Sequence, residues 1–271
     1  MGLDIDTSIM KGNTQLWDYL AARLSPNGLA FLSRIYSDGL SKYKQRLVSL
    51  GFSDRRSVLD AGCGMGQWTM ALAGMNKSVH GLDVSSDRIE VARVITASVG
   101  LQNIKYSVGQ LEKLQFADSY FDGIFCYSVL YLTDFERALR EFSRVLKAGG
   151  ILYICSNALG RFLYEVIKCP NPTEDFNPRR YGLLTLRNTL LRKRTGLSSA
   201  TGGVATSRRR TCRVLENLGF EILGAGPEGS VGEPGRSFHR AKYLGLENVF
   251  EVLACREKID LSGDHSSCAS I

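Results

Sequence analysis

Two hydrophobic periods alternate through the middle of the chain. Apolar runs at Val58–Ala61, Val79–Val84, Ile104–Gly109, Tyr120–Tyr131 and Ile151–Cys155 have the short, nearly continuous character of strands covered on both faces. Between them lie segments of helical spacing, Gln67 to Ala73, Arg88 to Ser98 and Phe135 to Leu146. The last places apolar residues at 135, 138, 139, 142, 145 and 146, a stripe that faces a sheet. Ser85-Ser86-Asp87 offers N-cap oxygens and a first-turn acid to the second helix. Thr133-Asp134-Phe135-Glu136 reads as a capping box, with Thr133 as N-cap and Glu136 reaching back. Ala148-Gly149-Gly150 then closes the third helix before the fifth run. Strands alternating with helices in this way make βαβ units, whose ligands sit at the carboxyl ends of the strands.

The turn after the first run is the richest in chemistry. Asp60-Ala61-Gly62-Cys63-Gly64-Met65-Gly66-Gln67 carries three glycines within five positions. Without Cβ atoms the backbone turns sharply and admits a ligand close to the main chain, while the free N–H groups of the following helix face that ligand. A tight strand-to-helix turn explains the same residues. A dinucleotide fingerprint requires G-x-G-x-x-G, and here Gln67 stands where its third glycine belongs. Asp83 ends the second run 23 positions after Asp60, at the height of a ribose whose two hydroxyls a carboxylate accepts from. A solvated turn acid is the plainer alternative.

The pattern D-x-G-x-G-x-G at Asp60, Gly62, Gly64 and Gly66 resembles the first motif of the class I S-adenosylmethionine-dependent methyltransferases. Residues 56 to 155 follow that family's motifs in order and spacing. The resemblance implies an α/β fold, a Rossmann-like parallel sheet of seven strands with the last strand antiparallel and helices on both faces; Phe220-Glu221-Ile222-Leu223 and Val249–Ala254 would be the last two strands. It implies S-adenosyl-L-methionine as cofactor and S-adenosyl-L-homocysteine as product, bound by Asp60, Gly62, Gly64, Gly66, Asp83, Val84, Gln110, Leu111, Glu112 and Tyr127. Gln110 departs from the acid that commonly follows Gly109 in the family; its carbonyl accepts the same adenine bond, or it is a surface glutamine. Tyr127 is expected where cofactor and acceptor meet.

One domain, residues 1–271, suits the length and the 44% hydrophobic content. It divides into an N-terminal helical lid (1–50), the cofactor-binding core (56–155), a basic insertion forming an acceptor lid (157–212), closing strands (213–255) and a frayed polar tail (256–271). Trp17, Tyr19, Tyr36 and Tyr43 cap the cofactor or simply pack the N-terminal helices. The seven cysteines form no C-x-x-C pair, so a reduced, metal-free, cytoplasmic protein is expected. Met1 to Lys11 holds two aspartates and no apolar run, and no secretory signal is expected. The longest candidate span, Gly149 to Ile167, is broken by Ser156, Asn157, Arg161 and Glu165, too polar to cross a bilayer.

Net charge is +7, yet Arg161 to Arg213 holds 12 Lys/Arg against three acids, leaving the remainder mildly acidic. In the resembled family this region helps to build the acceptor site, so a small or lipid-linked anionic acceptor is expected. Leu183 to Arg194 reads as an amphipathic helix with a cationic end, either a peripheral membrane contact or an ordinary lid helix. Nucleic acid is disfavoured, because the insertion's aromatics are sparse and no RNA-binding module accompanies them. His239 is the candidate general base for a hydroxyl acceptor, or a surface-loop histidine. His80, mid-strand, is expected to be a satisfied core residue.

The expected activity is methyl transfer, with O-methylation of a sugar or natural-product intermediate as the expected reaction. An RNA or protein methyltransferase is the nearest rival, disfavoured because Cys126-Tyr127-Ser128-Val129 stands where an N-P-P-Y-type tetrapeptide serves amino-group chemistry. A nicotinamide-dependent oxidoreductase and a non-catalytic binding subunit are the remaining alternatives.

Overall fold

The computed structural model describes residues 14–193, 196–198, 200–232, 237–259 and 265–266. Three helices, α1 (Thr14–Ala21), α2 (Pro26–Tyr36) and α3 (Ser41–Ser49), precede the first strand. Then follow β1 (Val58–Ala61), α4 (Gln67–Ala73), β2 (Val79–Asp83), α5 (Ser86–Ser98), β3 (Ile104–Val108), β4 (Phe121–Tyr127), α6 (Phe135–Val145) and β5 (Leu146–Asn157). The insertion supplies α7 (Leu159–Lys168) and α8 (Pro178–Leu190), and α9 (Arg208–Glu216), β6 (Phe220–Pro227) and β7 (Val249–Arg256) complete the domain.

Seven strands form one sheet in the order β3-β2-β1-β4-β5-β7-β6. β1 to β5 pair in parallel, and β7 runs antiparallel to both of its neighbours, as expected. Successive residues of the inner strands feed opposite cores, which is why these strands read as unbroken apolar runs. Val58, Phe125 and Tyr153 pack with the N-terminal helices, α4 and α5 on one face. Leu59, Ile124 and Leu152 pack with α6 and α9 on the other. The strand order reverses between β1 and β4, and a crevice opens there at their carboxyl ends.

Several local expectations are corrected. The N-cap of α6 is Asp134, whose side chain accepts from Arg137 N–H; Thr133 instead donates to the Leu130 carbonyl at 2.8 Å. Glu136 does not reach back but accepts from Arg210 at 2.6 Å, drawn off by a cation on α9. Ala148-Gly149-Gly150 is no turn. β5 starts directly at Leu146, pairing with Phe121, and a bulge restores register at Ile151 opposite Gly123.

Helix α8 begins five residues before the expected Leu183 and ends at Leu190. Asn177 caps Arg180 N–H and Pro178 takes the first helical position, a start signal independent of the leucine spacing. Arg192 adopts φ 52° and Lys193 N–H closes back on the Asn188 carbonyl, so the cationic end is a turn; Arg194 lies outside the described residues. The tail is not wholly frayed, since Lys258–Ile259 pair antiparallel with His265–Ser266. Cys63, Cys126, Cys155, Cys169 and Cys212 are free thiols.

No helix among the described residues is long and apolar enough to cross a membrane. Met1 to Lys11 lies outside the described residues.

Candidate functional site

β1 delivers its chain to the crevice through the glycine turn. Gly62, Gly64 and Gly66 all have positive φ, 81°, 54° and 86°, a region that side chains oppose. Gly62 and Cys63 donate their N–H groups to the Leu82 carbonyl at 2.7 and 3.0 Å, binding the turn to the end of β2. A Cβ on Gly62 would meet Val129 at 2.6 Å, and one on Gly66 would meet the Tyr106 hydroxyl at 2.7 Å. A Cβ on Gly64 would meet nothing within 4 Å, so that side of the residue faces open space. From above, the Tyr36 hydroxyl of α2 donates to the Met65 carbonyl at 2.9 Å.

Two carboxylates hold this turn in different ways. Asp60 is 1% exposed and accepts from the Thr69 hydroxyl at 2.6 Å; burial raises its pKa to about 7 against that bond. It props the turn from beneath. Asp83 sits at the cavity wall, its Oδ2 accepting from Gly64 N–H at 3.0 Å and its Oδ1 from Ser85 N–H at 2.9 Å. Each oxygen retains accepting capacity toward the cavity.

The cavity has a volume of about 470 Å³. Gly62, Asp83, Val84, Gln110, Leu111 and Glu112 meet in its wall, six of the residues singled out from sequence. Glu112 also accepts from Asp134 N–H at 2.9 Å, tying this wall to the start of α6. Gln110 is exposed, and its amide is open to a ligand. Asp60, Gly64, Gly66, Tyr127 and His239 are not part of this wall.

Arg88, Val129, Leu132, Asp134, Arg137, Leu197 and Ser198 also line the cavity. Both arginines are exposed at its mouth. Sequence patterning missed them because each sits on the polar face of a helix, where a solvated cation is ordinary. Leu197 and Ser198 come from the basic insertion, which is held by hydrogen bonds; Val204 N–H donates to the Tyr131 carbonyl at 2.7 Å, and the Asn188 side-chain amide donates to the Thr201 carbonyl at 2.9 Å.

Tyr127 belongs to a second cluster on the same edge of the sheet. Its ring lies 5.0 Å from Trp68, and its hydroxyl donates to Glu228. Glu228 also holds His239, with Nδ1 at 3.0 Å from Oε2. Tyr43, Trp68 and Phe238 pack around this group, so Tyr43, like Tyr36, is core rather than a mobile cap. Trp17 packs partly buried against the same core, and Tyr19 contacts Glu90 at 3.4 Å. His80 is satisfied by Ser107 at 2.9 Å, its pKa lowered to about 4 by burial and Lys105.

The residues present fit a nucleoside cofactor. The cavity joins an open-faced glycine turn to a carboxylate at ribose height, and the buried Gln67 Oε1, the first side chain of α4, has no hydrogen-bond partner. Among the described residues no group of three or more His, Cys, Asp or Glu is placed to hold a metal ion.

Comparison with known proteins agrees with this geometry. Residues 52–176 match the family model described as "Methyltransferase domain". An uncharacterized methyltransferase, YcgJ, of Bacillus subtilis is 35% identical over 94 residues, 34% of this chain and 37% of that protein. A demethylmenaquinone methyltransferase of Staphylococcus aureus is 34% identical over 113 residues, 40% of this chain and 46% of that protein. The matched region thus spans less than half the length of either relative. A SAM-dependent methyltransferase from Aquifex aeolicus superposes with a TM-score of 0.54 at 19% identity, covering 86% of this chain and 99% of that one. A geranyl diphosphate methyltransferase solved in complex with SAM gives 0.57 at 15%, covering 93% and 95%. Residues 52–176 therefore match a methyltransferase domain, and the seven-stranded sheet around them has the fold of the SAM-dependent methyltransferases on which it superposes.

Proposed function

We propose that this chain transfers a methyl group from S-adenosyl-L-methionine to a small or lipid-linked anionic acceptor, by O-methylation of a sugar or natural-product intermediate. The observation that carries the reading is one cavity with two kinds of wall. Gly62, Asp83 and Glu112 are suited to a nucleoside, and Arg88 and Arg137 stand at the mouth of the same space. Guanidinium groups there favour an anionic partner through planar, charge-assisted hydrogen bonds. Two of the similar proteins are named for demethylmenaquinone and geranyl diphosphate, names that accord with an isoprenoid-like or anionic acceptor here.

Methyl transfer from a sulfonium is an in-line displacement, so the protein's work is to align nucleophile, carbon and sulfur in a dry pocket. The cofactor supplies the reactive carbon. In this reading Asp83 takes the ribose hydroxyls, Val84, Gln110, Leu111 and Glu112 take the adenine side, and the glycine turn over Asp60 takes the aminoacyl end. Tyr127 borders the acceptor, and His239 removes the proton of an acceptor hydroxyl.

The insertion adds a membrane-facing element to the proposal. Leu183, Leu190 and Leu191 are 53%, 83% and 63% exposed, beside the exposed cations Arg187, Arg192 and Lys193. Such a face suits an anionic lipid surface.

Labelled S-adenosylmethionine incubated with a source-cell extract, then partitioned, tests the reading. Label in the organic phase or in the aqueous small-molecule pool is expected. Label confined to RNA or protein would replace the acceptor assignment and leave the cofactor assignment in force.

A further inference from the structure

Glu228 stands just past the end of β6, its N–H donated to the Val249 carbonyl at 3.2 Å. Its side chain is 2% exposed. Oε1 accepts from the Tyr127 hydroxyl. Oε2 accepts from the N–H groups of Phe238 at 3.1 Å and His239 at 2.8 Å, from the Ser237 hydroxyl at 3.3 Å, and meets His239 Nδ1 at 3.0 Å. Burial pushes this carboxyl up, while the hydrogen bond and positive charge of His239 and the bond from Tyr127 pull it down, and the net direction is below its ordinary range.

An ionised carboxylate only accepts, so Nδ1 of a neutral His239 carries the proton and Nε2 keeps a lone pair. The imidazole is 25% exposed, and among the described residues Nε2 makes no hydrogen bond. The cluster sits on the cofactor edge of the sheet. Tyr127 follows by two residues Phe125, which pairs with Asp60, and its ring abuts Trp68 in the second position of α4.

We propose that Glu228 is the positioning residue of the transfer step, fixing the tautomer and aim of His239 while tying Tyr127 to the same loop. The proposal rests on the methyltransferase reading above and narrows its acceptor to a hydroxyl. A neutral amine or thioether needs no such base, whereas a hydroxyl must lose its proton as it attacks. The acceptor O–H proton passes to His239 Nε2. Its oxygen forms the new bond to the methyl carbon as the carbon–sulfur bond breaks with both electrons left on sulfur, and the imidazolium later gives its proton to water. Glu228 stabilises that imidazolium without taking the proton.

Three proteins test it: native, Glu228→Gln and His239→Asn. The glutamine keeps the volume and an accepting oxygen for the loop N–H groups. Imidazole ¹⁵N spectra read the tautomer, with His239→Asn assigning the signal among the three histidines. Methyl transfer into the small-molecule fraction of the extract gives rate against pH, and calorimetry with S-adenosylhomocysteine gives cofactor affinity.

The expected result is a native Nδ1–H tautomer. His239→Asn should lose roughly a hundredfold in rate. Glu228→Gln should lose roughly tenfold or more in kcat, with KM and cofactor affinity unchanged and the Nδ1–H tautomer no longer fixed, because the amide can donate to Nδ1 as well as accept from it. A purely structural Glu228 would leave the tautomer in place. An unchanged tautomer and rate in Glu228→Gln, with His239→Asn still slow, would overturn the positioning role alone. Full activity in His239→Asn would overturn the base and its positioning together, and native protein that fails to bind S-adenosylhomocysteine would remove the methyltransferase reading beneath both.

Discussion

The two walls of the cavity are built from different materials. The wall made by β1, β2 and the glycine turn is fixed by backbone: Gly62 and Cys63 are clamped to Leu82, Asp83 holds Gly64 and Ser85, and Tyr36 pins Met65. The remaining lining presents side chains, exposed Arg88 and Arg137 together with Leu197 and Ser198 of a basic insertion. A backbone-defined wall has one shape and recognises one ligand. A wall of exposed charges on helices and a long insertion changes its preference by single substitutions without disturbing the sheet.

Breaking the backbone wall should have the largest effect. Gly62→Val forces a side chain into Val129 at a φ of 81°; strain and overpacking of about 1–3 kcal/mol each predict a loss of S-adenosylhomocysteine affinity of roughly a hundredfold or more, read by calorimetry. Asp83→Ala keeps the turn's glycines but removes the acceptor for Gly64, Ser85 and the ribose. The expected cost is about 1.5–3 kcal/mol of cofactor affinity, and unchanged affinity would take Asp83 out of the site.

The exposed cationic turn after α8, outside both walls, should respond more gently and to a different ligand. Arg192→Gln should weaken co-sedimentation with anionic vesicles by about 1 kcal/mol, roughly fivefold, while cofactor affinity holds. The absence of vesicle binding by the native protein would leave α8 as a lid helix alone.

How much of this contrast the sequence carries follows from the same physics. The glycine turn, Asp83 and the alternation of strands with helices were legible because buried parallel strands and positive-φ turns leave few alternatives for residue type. The α6 cap was misassigned by one residue because Thr133 and Asp134 both have capping oxygens, and only the chain's approach through Leu130 decides between them. The five-residue error at the start of α8 came from following leucines instead of Asn177-Pro178. Arg88, Arg137 and Glu228 left no local signal: their roles arise from segments far apart in the chain, as when Glu228 gathers Tyr127 from 101 residues away.

Asp60 yields an effect on stability, not on binding, and one with a definite sign. Its folded pKa, raised by burial to about 7 from 3.8, means the native state holds its proton more tightly than the unfolded chain. The associated stability is complete below pH 4 and is lost as pH rises through 7. Asp60→Asn should therefore flatten the fall of the melting temperature between pH 5 and pH 8, and a slope identical to that of the native protein would place the proton elsewhere.

The most direct test of the central claim is calorimetry of the native chain with S-adenosylhomocysteine and, separately, with NADH. The account predicts saturable one-to-one binding of S-adenosylhomocysteine, competitive with S-adenosylmethionine, and no heat from NADH. Binding of NADH with none of S-adenosylhomocysteine would contradict it, assigning the Gly62–Asp83 crevice to a dinucleotide.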